Sequence, residues 1–208
     1  MAARNAPGRA MTGHAVVVLA AGRSQRLGQP KQLLRVGGET LLRRSVRLAV
    51  ETSPDTLVVV LPQHPRFEEE LHSLPAQWLR NPNPELGIGG SLSLAATHVY
   101  SAARVLVMIC DQPMLRVDHL RVLLGAAAAA PSGCAATVLG DTIGVPAVVP
   151  GAWFGGTGLE AAGGGFGRRL RQTEGIARCS GAGLECDIDT PEDLRRAREL
   201  GWLDPASA

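Results

Sequence analysis

The stretch from Val16 to Lys31, VVVLAAGRSQRLGQPK, constrains this chain more than any other part of it. A fully apolar run of strand length ends in small residues and passes into a loop. That loop carries Gly22, Gly28 and Ser24, together with the cations Arg23, Arg26 and Lys31. An apolar run without alternation suits a strand covered on both faces, as in a parallel sheet. Small residues let backbone N–H groups approach a ligand closely, and cations then add charge for a polyanion. The stretch therefore predicts a nucleoside triphosphate site at the carboxyl end of a first strand. Lys31 is the only lysine among 21 basic residues. A compact ammonium sits between phosphate groups where a planar guanidinium fits poorly, so Lys31 is the first candidate for such a role.

Strand-length and helix-length segments alternate along the rest of the chain. His14 to Leu19, Thr56 to Leu61, Trp78 to Arg80 and Arg104 to Ile109 read as strands, followed by Cys134 to Leu139 and Ile143 to Val149. Helices are expected from Glu39-Thr40 to Glu51, over Pro65 to Leu74, from a Ser91 cap to Ala103, and over Val117 to Ala130. Phe166 to Gln172 reads as a short basic helix whose Arg168, Arg169 and Arg171 could hold an anion. Thr190-Pro191-Glu192-Asp193 reads as the capping box of a last helix that stops at Gly201. Pro146 inside its strand suggests a sheet edge. The glycine-laden Gly155 to Gly167 reads as a lid or substrate loop. The pattern predicts a three-layer α/β/α, Rossmann-like fold with a mostly parallel central sheet. Residues 1–13 read as a disordered tail, with one domain over 14–208.

Ligands in such folds bind outside the carboxyl ends of the strands. Three stretches lie there: the Gly22 loop, the Asn81 to Ser93 loop and Cys110-Asp111-Gln112-Pro113. An acid where a buried strand meets its loop is placed like a Mg²⁺ ligand. Asp187 and Asp189 share one face of an extended segment, and paired like charges are eased by a shared cation. No GxxxxGK[ST], GxSxG or strand-following GxGxxG is present. The five histidines are scattered and the four cysteines form no CxxC pair, so neither a zinc site nor a disulfide framework is implied. A net charge of +2 and 3% aromatics give no sign of a nucleic-acid partner. No apolar stretch spans a bilayer and residues 1–13 lack a signal's apolar core, so a cytoplasmic location is expected. A cationic glycine loop with acids suited to Mg²⁺ does phosphoryl or nucleotidyl transfer by positioning and charge neutralisation.

The segment from Leu19 to Lys31 resembles the LAAGxSxRxGxxK signature of the MobA-like nucleotidyltransferases, in particular the molybdenum cofactor cytidylyltransferase branch. The resemblance continues through Asn81-Pro82, Gly87 to Leu92, Cys110 to Pro113, Gly144-Val145-Pro146 and Asp187 to Leu194. It implies that Leu19, Ala20, Ala21, Gly22, Arg23 and Ser24 meet a nucleotide, and that Arg26 and Lys31 neutralise its triphosphate. Asn81, Gly90 and Ser91 are implied near base and ribose. Arg26, Lys31 and Asp111 are the implied catalytic residues, and Asp111 the Mg²⁺ ligand with Asp187 or Asp189. Ala21 stands where guanylyltransferase relatives carry a second glycine, which favours CTP over GTP. The implied reaction is transfer of CMP to the terminal phosphate of molybdopterin, for use by a client molybdoenzyme. Gly164-Gly165-Phe166-Gly167-Arg168-Arg169 departs from the family's Gly-Asp-x-Gly-Ala-Arg. That departure leaves open guanylyl or other nucleotidyl transfer to another phosphorylated acceptor, or a non-catalytic cofactor-binding chaperone.

Overall fold

The computed structural model describes residues 13–155 and 165–205. The first strand, β1 (Ala15–Leu19), is followed by a short antiparallel pair, β2 (Arg35–Val36) and β3 (Glu39–Thr40), and then by α1 (Leu41–Val50). Next come β4 (Thr56–Leu61), α2 (Arg66–Glu69), β5 (Gln77–Arg80), α3 (Gly87–Val99) and β6 (Val105–Ile109). The chain continues with α4 (Val117–Ala129), β7 (Ala135–Leu139), β8 (Thr142–Val149), α5 (Gly167–Gln172), β9 (Ala177–Ser180) and α6 (Pro191–Glu199). Seven strands form one sheet in the order β5-β4-β1-β6-β8-β7-β9. Only β8 runs against its neighbours. This is the mostly parallel α/β fold that the strand–helix alternation predicts.

The two periods of the sequence build three layers. Along β1, Val16, Val18 and Ala20 point to the face covered by α1 and α4, through Leu42, Val46, Leu120 and Leu123. Ala15, Val17 and Leu19 point to the opposite face, under Leu92, Ala95 and Val99 of α3 and Leu170 of α5. Period-two strand geometry sends alternate residues to opposite faces, which is why an unbroken apolar run is needed. Each Val or Leu buried in this way contributes about 1.5–3 kcal/mol relative to exposure. A third, smaller core joins Leu27 and Leu34 to Ile188, Leu194, Ala197 and Leu203. It anchors α6 and the C-terminal segment to the loop after β1. There, Asp204 accepts the Gly37 and Gly38 N–H groups at 2.7 Å each.

Several expectations need correction. Pro146 lies in β8, inside the sheet between β6 and β7 rather than at an edge. The β7–β8 register shifts between Ala136 and Thr137, so the proline falls at an irregularity, where a missing N–H is tolerated. Thr137 Oγ1 donates to its carbonyl at 2.6 Å. Ser91 is not a cap: α3 begins at Gly87 and Ser91 lies buried within it. The Pro65 to Leu74 helix is reduced to Arg66–Glu69, anchored by buried Phe67, and Leu71 is buried in the turn that follows. The β2–β3 pair and β9 were not anticipated from sequence, and Thr40 belongs to β3 as well as capping α1. The expected N-terminal tail, apart from Gly13, and most of the expected Gly155 to Gly167 lid lie outside the described residues. Among the described residues no helix is long and apolar enough to cross a membrane.

Candidate active site

The order of the strands creates the crevice. From β1 the chain turns to β4 and β5 on one side, then crosses to β6 on the other. Loops that follow β1 and β6 therefore diverge at their carboxyl ends, the place where such sheets bind ligands. A cavity of about 310 Å³ opens there. Residues from the expected loops line it: Leu19, Ala20, Ala21, Gly22 and Lys31 after β1, Ser91 on α3, and Cys110 and Asp111 after β6. Asp187 and Asp189 close it from the segment before α6. A larger cavity of about 450 Å³ lies between Gln29, Arg35, Arg198 and Asp204, away from these groups. The smaller one is the candidate site because it gathers the ammonium and the carboxylates.

The loop after β1 is shaped by local bonds. Ala20 N–H donates to Val60 O at 2.9 Å, so its donor is already used by the sheet. Ser24 adopts a left-handed φ of 50° and Gly28 a φ of 74°. Gly28 N–H donates to Ser24 O at 3.1 Å, and Lys31 N–H donates to Ser24 Oγ at 3.1 Å. Leu27 is buried in the small third core and pins the loop's middle. Gln32 Nε2 donates to Ala20 O at 2.6 Å and to Gly22 O at 2.7 Å.

The charged groups meet directly. Lys31 Nζ pairs with Asp111 Oδ2, and with Asp189 Oδ1 at 2.9 Å. The other oxygen of Asp189 holds Arg26 Nη2 at 2.5 Å. Only 16% of the Lys31 side chain is open to solvent. The lone ammonium and the strand-terminal carboxylate thus touch, rather than facing each other across an open cleft. Burial works against the lysine's charge, but Asp111 and Asp189 outweigh it and hold the ammonium well above its ordinary range. Hydrogen bonding to Lys31, and the fields of Lys31 and Arg26, hold Asp189 below the usual carboxylate range. Asp187 behaves in the opposite way. Enclosure in the cleft, then the neighbouring Asp111 charge, push its carboxyl up to about 6. Burial and the same Asp111 charge push the Cys110 thiol up, so it is no nucleophile near neutral pH.

Other expected residues stand around the cavity without facing it. Asn81 is buried, donates to Ser91 Oγ at 3.1 Å and accepts Asn83 N–H at 2.8 Å. Gly90 lies beneath Leu86, whose Cβ would stand 2.6 Å from an added methyl. Asn81 ties the Asn81–Ser91 turn together and Gly90 lets Leu86 pack close; of the three, Ser91 lines the cavity. Arg23 is exposed and Ser24 serves its own loop; neither lines the cavity. Arg169 stacks on Trp153, 4.0 Å from the ring centroid, while Arg168 and Arg171 are exposed. Sequence reasoning missed Gln32 and Gln112. Gln112 Nε2 donates to Val145 O at 3.1 Å and to Leu184 O at 3.3 Å, tying the Asp111 loop to β8 and to the Asp187 segment. A neutral amide gives no periodicity or charge signal; adjacency to Lys31 and Asp111 was the only clue.

The carboxylates suit a divalent cation. Asp111 Oδ1 is buried with no hydrogen-bond partner, and Asp187 is crowded against it. Among the described residues no group of three His, Cys, Asp or Glu side chains is arranged to hold a metal. A donor set of one or two carboxylates is what Mg²⁺ takes when phosphates and water complete its shell.

A segment of 125 residues is 35% identical to a probable molybdenum cofactor guanylyltransferase of Synechococcus elongatus, covering 60% of this chain and 63% of that protein. The chain thus spans less than two thirds of that relative. It is 33% identical to the purine catabolism protein PucB of Bacillus subtilis over 206 residues, covering 88% of this chain and 94% of that one. The solved structure of Rv0371c from Mycobacterium tuberculosis H37Rv is similar over 91% of this chain and 99% of its own, with a TM-score of 0.74 and 26% identity. A complex of Rv0371c with manganese is also similar, with a TM-score of 0.69 and 25% identity. The model of the MobA-like NTP transferase domain matches residues 16–178, from the first residues of β1 into β9. That match covers well over half of the chain, and the chain belongs to the MobA-like nucleotidyltransferase family.

Proposed function

We propose that the protein is a Mg²⁺-dependent nucleotidyltransferase, with residues 14–208 as one domain, that transfers CMP from CTP to the terminal phosphate of molybdopterin. The observation that carries the reading is the only lysine of the chain held between Asp111 and Asp189 in the crevice at the head of β1 and β6. In the unliganded site these charges neutralise one another. A triphosphate offers Lys31 and Arg26 oxygens in place of Asp111 and Asp189. Ala21 and Gly22 supply backbone N–H groups to the same ligand, since their segment lines the cavity. Asp111, with Asp187 or Asp189, would hold Mg²⁺, which supplies charge neutralisation on the phosphates when bound. A terminal phosphate is ionised near neutral pH, so it attacks the α-phosphorus without a general base and pyrophosphate leaves.

Two observations bear on the nucleotide. Ala21 in place of a second glycine supports CTP, whereas the name of the Synechococcus relative supports GTP. Pyrophosphate release, measured with molybdopterin, Mg²⁺ and either CTP or GTP, decides between them. Turnover with CTP is expected. Turnover with GTP alone moves the enzyme to guanylyl transfer. Molybdopterin binding with no pyrophosphate from either nucleotide overturns the transferase reading and leaves a cofactor carrier.

A further inference from the structure

Gln32 is 1% exposed and carries no charge, yet it lies against the cavity beside Lys31. Its Nε2 spans two carbonyls of the loop, Ala20 O at 2.6 Å and Gly22 O at 2.7 Å. Its Oε1 is buried with no hydrogen-bond partner. The amide cannot turn over to satisfy that oxygen, because Oε1 would then face the two carbonyl oxygens. A buried acceptor without a partner costs stability, so packing alone does not account for a glutamine here.

Resting on the nucleotidyltransferase reading above, we infer that Gln32 is a positioning residue that makes the loop selective for phosphate. It draws the carbonyls of Ala20 and Gly22 inward and neutralises their lone pairs. The Ala20–Ala21 and Gly22–Arg23 peptide units are then held with their oxygens engaged and with their N–H groups left for an anion. Ala20 N–H is spent on Val60 O and is not among these donors, which are the ones of Ala21 and Arg23. Gln32 follows Lys31 in the same short 3-10 turn, Lys31–Leu33, so the ammonium and the backbone donors are set by one element. Without the amide, two carbonyl oxygens are free to turn toward the ligand and repel it.

The test is titration of the full chain with CTP and GTP, and with CMP and GMP, in the wild type and in Gln32→Met. Methionine keeps the volume and removes both the donor and the orphaned acceptor. Because the carbonyls of Ala20 and Gly22 lose their donor, the melting temperature is expected to fall by a few degrees with the fold retained, while the triphosphate Kd rises about tenfold, the size of losing one or two net hydrogen bonds. The monophosphate Kd is expected to stay within twofold. Gln32→Asn, one methylene short of reaching both carbonyls, is expected to show the same split. Triphosphate binding within twofold of wild type in either variant overturns the inference. So does an equal loss of mono- and triphosphate binding, or failure of both variants to fold, since each points to a structural role. A wild type that binds no triphosphate removes the nucleotidyltransferase reading and this inference together, whereas a binding wild type matched by its variants removes the inference alone.

Discussion

Lys31 illustrates how a single side chain acquires more than one duty. Its ammonium is mostly covered and is shared between Asp111, itself only 8% open, and the more exposed Asp189. Removing it does two things. It deletes the cation expected to meet the transferring phosphates, and it leaves Asp111 buried beside Asp187 with no counter-charge. Lys31→Ala is therefore expected to lower kcat by about 10²–10³-fold, the usual size for losing one preorganised electrostatic contact. It is also expected to destabilise the fold by about 3 kcal/mol, as breaking one side of a buried pair does. Parallel turnover and urea-denaturation measurements check both; unchanged turnover would refute the role, and unchanged stability would show that Asp111 finds another partner. Lys31→Arg is expected to recover stability better than turnover, because a guanidinium keeps the charge but does not occupy a compact bridging position. The Arg26–Asp189 pair differs, since Arg26 is 72% exposed and such pairs are worth about 0–1 kcal/mol.

Helix α6 shows the same economy in an element. Thr190 Oγ1 accepts Asp193 N–H at 3.2 Å, and Asp193 Oδ2 accepts the N–H groups of Thr190 at 2.8 Å and of Asp189 at 3.2 Å. The cap that starts the helix thus also fixes the backbone of an acid that lines the site. Thr190→Ala is expected to cost about 1 kcal/mol, the usual value of a lost N-cap. It should also weaken triphosphate binding by a few-fold through Asp189, which a urea midpoint and a titration with CTP together would show. This helix start was legible because Thr-Pro-Glu-Asp is a local signal. The strand Thr56–Leu61 was legible for the same reason, being an apolar run between turn residues. Ser91 misled because a serine after glycines looks like a cap, whereas α3 starts on the glycines themselves. The two-residue strands β2 and β3 are too short to carry a period, and they are held from outside by Asp204.

Across the whole molecule, two histidines report on how tightly the layers close. Burial lowers the pKa of His14, which meets Thr52 Oγ1 at 2.9 Å, and of His119, which meets Thr137 Oγ1 at 2.8 Å. The unfolded chain takes up protons near the ordinary histidine value of 6.5, while the folded chain resists until lower pH. The unfolded state then binds more protons, so stability falls as pH drops below about 6.5 and is level above it. Melting curves between pH 7.5 and 5 are expected to show that loss, and His14→Gln with His119→Gln to flatten it. A slope unchanged in the double variant would place the loss elsewhere. The α/β class and the positions of most strands were written in local patterns, because apolar period and turn residues act over a few neighbours. The meeting of Lys31 with Asp111, 80 residues on, and with Asp189, 158 residues on, was not. Nor was the place of Pro146 inside the sheet, or the use of Gln32 and Gln112 as ties. Those depend on strand order and on which loops pack against one another, and a contact between distant segments leaves no periodic trace in either of them.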